Sequence, residues 1–193
     1  VKMAAAGLAN STNAIFSLSV FVGLSSATVT LTSQAKGAGD NHQAALWLHR
    51  ALAVHFVVAA IFTPVMFALF GPMLLALGQD VGVIDQAVAY YRCLLPGMWA
   101  WATMFALFPW LQCYGVVRTP LLVGVCMVPV HLVALKLYVR TWGLGLLGAG
   151  LAASTTIALN VLMTGLLTFV LVPRLRSSVP RAWPGPDSLA RLP

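Results

Sequence analysis

Two histidines, His55 and His131, stand inside stretches that are otherwise apolar. An unperturbed imidazole changes charge close to neutral pH, so either ring has the chemistry of a proton relay. The other role open to both is that of a hydrogen-bonded member of a helix bundle. Asn10, Thr12, Asn13 and Ser17, continued by Ser19, put a polar stripe into the first apolar stretch. Amides and hydroxyls in a dry environment must face protein or water, so this stripe lines a solute cleft or joins helices by hydrogen bonds. Catalysis has no footing. No nucleophile is matched to a base, and His42, His49 and His55 lack the i, i+4 spacing of a helical metal pair. No enzyme, metal site or cofactor is expected.

The surroundings of these groups set their medium. Hydrophobic residues make up 60% of the chain and charged residues 8%, with a mean hydropathy of +0.91, which excludes an ordinary soluble domain. Runs of about 20 apolar residues cross a hydrocarbon core as helices, because a helix pairs its own backbone where water cannot. About five such runs are present, roughly 4–33, 45–77, 84–116, 120–140 and 144–172. They predict an all-α polytopic transmembrane helix bundle over residues 1–174, followed by a polar, Pro-rich tail or linker over 175–193. The lipid bilayer is the first expected partner.

The net charge of +7 comes from basic residues scattered singly between apolar runs, with no patch of the kind that binds nucleic acid. Their distribution reports orientation. Lys36 and Arg50 fall in the first loop, Arg118 in the third, and Arg174, Arg176, Arg181 and Arg191 in the tail, whereas the second loop holds Asp80 and Asp85. The positive-inside rule then puts the first loop, third loop and tail in the cytoplasm. Tyr90, Tyr91, Tyr138 and Trp142 are expected at the outer membrane boundary, and Trp47, Trp110 and Tyr114 at the inner one. Arg92 is left to snorkel or to meet an outer acidic group. The three cysteines, Cys93, Cys113 and Cys126, read as packing residues. Opening on Val1 and ending in a polar tail, with an odd number of crossings, the chain reads as an excerpt from a longer protein.

Helix breakers are unevenly spread. Pro64 and Gly71-Pro72 predict a tilted or kinked second helix, Pro96-Gly97 and Pro109 fall in the third region, and Pro129 in the fourth. Such residues open hinges or cavities, and they are also frequent in membrane helices without that role. The small residues of Gly143 to Ser154 predict close helix packing.

Several motifs then resemble, in order, those of the multidrug and toxic compound extrusion (MATE) family of the eukaryotic type. Gly23-Leu24 and Ala27 are followed by Thr30-Leu31, Gln34-Ala35 and Gly37-Ala38, and Leu48-His49-Arg50-Ala51 stands for the family's Leu-Gln-Arg-Ala. Gly78-Gln79, Pro96, Leu111-Gln112 and Gly148 to Ser154 follow. Val29 occupies the usual acidic position, His49 replaces Gln, and Tyr114 replaces a second Gln. The resemblance implies most of one lobe of a two-lobe transporter, from its second to its sixth membrane helix, with the first helix and the second lobe as missing partners. It implies a secondary antiporter in a plasma or vacuole-type membrane that exports organic cations or other xenobiotics in exchange for protons or sodium. On this alignment Gln34, Gly37, Arg50, Gln112 and Arg118 serve the cytoplasmic loops, with Gly37 making the sharp exit from a helix and Arg50 binding helix C-terminal carbonyls. Against coupling stands the acidic inventory: Asp40, Asp80, Asp85 and Asp187 all fall in expected loops or tail, and no Glu is present. A truncated, non-transporting membrane protein or scaffold is the rival expectation.

Overall fold

The computed structural model describes residues 1–171, with side chains to Val170. The expected tail over 175–193, with Asp187, and the four arginines from Arg174 to Arg191 lie outside the described residues. Within them every regular element is helical. We label the helices α1 (Lys2–Gly37), α2 (Asn41–Ala76), α3 (Val81–Leu94), α4 (Gly97–Cys113), α5 (Arg118–Thr141) and α6 (Gly145–Leu171). Helices α1, α2, α5 and α6 are each long and apolar enough to cross a membrane, and α3 with α4, bent by 52° at their break, is long and apolar enough only as a pair. The third region is therefore two helices instead of one. Pro96, which has no N–H to continue the ladder, stands at the break as the residue before α4. By contrast α2 runs through Pro64 and Pro72 without interruption.

Local chemistry fixes the ends. Asp40 and Asp80 cap α2 and α3, each with a side-chain oxygen that accepts a backbone N–H, from Gln43 at 2.8 Å and Gly82 at 2.7 Å. Helix α1 stops where Gly39 takes a φ of 79°, a left-handed conformation that costs a glycine little. Asp40 N then bonds Ala35 O and Gly39 N bonds Lys36 O, closing the last carbonyls. The exit falls on Gly39, while Gly37 is the last helical residue of α1.

Two helices contain a wider turn. Asn13–Leu18 in α1 and Lys136–Thr141 in α5 are π-helical. In α1 the Ser19 N–H reaches Ala14 O, and the Ser19 hydroxyl donates to the Ile15 carbonyl that the wider turn bypasses.

The N-terminal half of α1 packs on α3, its C-terminal half on α2 and α4, and α6 covers α3, α4 and α5. Phe21, Phe70, Leu74, Tyr91 and Met98 fill the main core, and Leu48, Leu107, Trp110 and Leu111 a second one. Val57, Ile61, Leu121, Leu122, Val125 and Leu162 point outward and are more than half exposed, as lipid-facing side chains would be. Tyr91 and Trp110, expected from the aromatic pattern at the membrane boundaries, both turn into the bundle. Tyr91 is buried on Phe70 with ring centroids 4.1 Å apart, and the buried Trp110 donates its Nε1–H to Ala44 O at 2.9 Å. Each ring is more strongly committed to a partner inside the bundle than to headgroups.

Candidate functional site

Helices α5 and α6 meet at a polar junction. His131 Nδ1 lies 2.9 Å from Thr156 Oγ1, and that hydroxyl donates to Ala152 O at 2.7 Å. A hydroxyl has one hydrogen, so Thr156 accepts from His131 and the imidazole carries its proton on Nδ1. Nε2 is then the nitrogen of the neutral ring that carries no hydrogen. The pair borders a groove of about 280 Å³ with Gly124, Met127 and Val128. A second groove of about 220 Å³ shares Met127 and is walled by Val123, Cys126, Met163 and Leu167. The seam is thus apolar along most of its length and polar at the histidine.

Four turns of α6 extend this polarity. Thr156, Asn160, Thr164 and Thr168 recur every fourth residue, which keeps them near one face of a helix. Thr164 and Thr168 are fully buried, and their Oγ1 atoms, like Asn160 Oδ1, meet no hydrogen-bond partner among the described residues. Sequence reading missed this line because the small residues at the start of α6 drew attention to packing. The four-residue spacing was the available signal.

The stripe on α1 divides. Asn10 accepts from Tyr90 Oη at 3.4 Å, and Ser17 Oγ lies 3.4 Å from Tyr91 Oη, so both join α1 to α3. Thr12 is buried, and the buried Asn13 Oδ1 has no partner among the described residues. The other histidine of the sequence analysis, His55, is 1% exposed and far along α2. The structure does not bring it to His131: His55 packs on Phe21 of α1, and His131 on α6.

At the opposite ends of α1 and α4, Lys36 Nζ donates to Cys113 O at 2.6 Å and sits 4.5 Å from the Tyr114 ring centroid. Lys36 therefore holds a C-terminal carbonyl of α4, and the Arg50 guanidinium, expected to bind helix C-terminal carbonyls at the first loop, lies 4.7 Å from the Trp47 ring centroid. Gln34, Gln112 and Arg118 are exposed near the same turns. Arg92 lies 4.6 Å over Phe67.

Long apolar helices, a broken span and inward-facing polar groups define a polytopic helical membrane protein. The chain belongs to the MatE family, whose model matches residues 1–135. Among curated relatives from Arabidopsis thaliana, Protein DETOXIFICATION 36 is 29% identical over 96% of this chain and 36% of its own length. Protein DETOXIFICATION 13 is 33% identical over 86% of this chain and 34% of its own length. Among solved structures, the eukaryotic MATE transporter AtDTX14 superposes with a TM-score of 0.86 and 26% identity, over 93% of this chain and 40% of that one. An inward-facing multidrug resistance MATE family transporter shares the fold with a TM-score of 0.79 at 20% identity, over 98% of this chain and 43% of that one. The resemblance expected from the sequence motifs is borne out. The family consists of membrane transporters, not enzymes, and the chain spans little more than a third of the length of these curated relatives.

Proposed function

We propose that this chain forms most of one lobe of a secondary antiporter that exports organic cations or related xenobiotics in exchange for protons or sodium. The observation that carries this reading is the His131–Thr156 junction: a titratable ring with Nε2 left to protonate, beside an apolar groove between two helices. Such a groove suits the hydrophobic body of an organic solute, and a titratable group beside it can couple solute binding to proton uptake. Thr12 and Asn13 remain cleft candidates, Asn10 and Ser17 act by holding α1 on α3, and His55 has a separate role argued below. The basic loops favour an orientation with the α1–α2 and α4–α5 turns in the cytoplasm, in a plasma or vacuole-type membrane. There Gln34, Gly37, Arg50, Gln112 and Arg118 serve the loops, and the tail over 175–193 links to a second lobe.

The test is a chimera. Residues 1–171 replace the matching segment of the eukaryotic MATE transporter AtDTX14, and ethidium efflux is followed from efflux-deficient bacteria. Efflux that His131→Leu abolishes without lowering membrane expression supports the reading, and efflux indifferent to His131→Leu removes it. One observation favours a non-transporting scaffold: Asp40 and Asp80 are committed to helix caps and Asp85 is exposed, leaving no buried carboxylate among the described residues. A chimera that inserts and folds without any efflux would establish that second reading.

A further inference from the structure

A groove between α1 and α2, distant in sequence from the α5–α6 seam, has a chemistry of its own. It encloses about 120 Å³, is walled by Leu24, Leu31 and Val54, and carries Thr28, Arg50 and His55. His55 Nδ1 is 2.7 Å from Ala51 O. A carbonyl only accepts, so Nδ1 bears the hydrogen and Nε2 of the neutral ring is a bare acceptor. Phe21, stacked at 5.9 Å and 15°, holds the ring plane, and Nε2 is buried with no donor among the described residues. The neutral ring is therefore set to accept a hydrogen bond at Nε2.

Toward the Asn41 end of the groove, the Arg50 guanidinium lies 4.7 Å from the Trp47 ring centroid. A guanidinium carries a fixed positive charge and a planar fork of N–H donors that matches a carboxylate. Arg50 and His55 are separated along α2 by about 7.5 Å, from a rise of ~1.5 Å per residue. The groove thus has a pole that attracts an anion, apolar walls, and a deeper pole that needs an O–H or N–H donor. We infer that it binds a small, flat amphipathic anion with a hydroxyl at its far end, of the para-hydroxyaryl carboxylate class. The carboxylate sits on Arg50, and the hydroxyl donates to His55 Nε2. Thr28, 5% exposed and only 3.4 Å from its nearest carbonyl acceptor, Leu24 O, flanks the ligand. The charge of this ligand is opposite to that of an exported organic cation, so the groove is a second solute or control site.

The experiment uses the purified chain in lipid nanodiscs and three probes, 4-hydroxycinnamate, cinnamate and 4-hydroxycinnamyl alcohol, with empty nanodiscs as the partition background. Isothermal titration should give saturable binding of 4-hydroxycinnamate about tenfold tighter than either other probe, the effect of one hydrogen bond or one charge contact. His55→Phe should erase the advantage over cinnamate, and Arg50→Gln the advantage over the alcohol. His55→Gln keeps an acceptor and should restore part of the hydroxyl preference, which separates recognition from a folding defect. Equal affinity of the three probes, binding no greater than to empty nanodiscs, or a hydroxyl preference that survives His55→Phe would each overturn the inference. None of these readouts depends on transport.

Discussion

Ser154 Oγ donates to the Cys93 carbonyl over 2.7 Å, tying α6 to the point where the third span breaks. The same oxygen lies 3.4 Å from Leu94 O, beside Pro96, which has no N–H to contribute to a helical ladder there. In lipid a carbonyl left bare at such a break has no water to turn to, so the neighbouring helix supplies the donor. Ser154→Ala should lower stability by about 1–3 kcal/mol, the cost of orphaning a buried acceptor. The check is the denaturant midpoint of helical circular dichroism in mild detergent. An unshifted midpoint would mean that the hydroxyl contributes nothing to holding the break.

Close approach at the same junction requires glycine. A Cβ at Gly97 would lie 2.9 Å from Ser154 Oγ and 3.2 Å from Ser154 Cα, and one at Gly150 would lie 2.9 Å from Cys93 Cβ and 3.1 Å from Tyr90 O. Gly97→Ala and Gly150→Ala should each cost about 1–3 kcal/mol by overpacking. Gly165 is also helical, but a Cβ there meets nothing within 4 Å. Gly165→Ala should therefore stabilise by about 0.4–1 kcal/mol, because alanine loses less chain entropy. Opposite signs for the two sites, in the same unfolding assay, are the expected outcome.

Trp110 joins two helices through one bond. Its buried indole donates to Ala44 O at 2.9 Å and packs against Tyr114 with centroids 4.5 Å apart. Trp110→Phe keeps most of the apolar volume and deletes the donor, so it should cost about 1–3 kcal/mol. Hydrogen exchange should quicken in the first turns of α2 more than in α6. Uniform acceleration across both helices would mean that the loss is volume, not the bond.

Much of this architecture was legible because lipid makes apolar length a direct signal. Helices α1, α2, α5 and α6 follow from runs that a soluble fold would not tolerate. The break at Pro96 was harder to read, since Pro64 and Pro72 are also within a helix and leave α2 continuous. What distinguishes Pro96 is a tertiary partner, Ser154, which lies 61 positions from Cys93 and cannot be inferred from local spacing. The candidate site was legible residue by residue but not in its pairings. His131 was identifiable as a lone imidazole, whereas Thr156 became relevant only once α5 and α6 were set side by side. Sequence also did not single out Lys36, which stands at an unassigned motif position and is the side chain that reaches Cys113 O.

That lysine offers the last prediction. Lys36 Nζ bonds Cys113 O at 2.6 Å and faces the Tyr114 ring, while Cys113 Sγ lies 3.6 Å from Val29 O on α1. The ammonium therefore binds the end of α4 through a charge-assisted bond and a ring contact, and it draws the cysteine toward α1. A hydrogen bond to a charged group contributes about 1.5–3 kcal/mol, so removing it should raise local opening by roughly tenfold or more. Lys36→Met keeps the apolar stem and loses the charge. In this variant Cys113 should react faster with a water-soluble thiol reagent, while Cys93, packed at the α3 break against α6, should react at its original rate. Lys36→Arg, which restores a cation of similar reach, should recover much of the protection. Equal acceleration at Cys93 would instead indicate general loosening of the bundle, and no acceleration at Cys113 would mean that the end of α4 is held by the bond from Trp110 to Ala44 of α2 without the lysine.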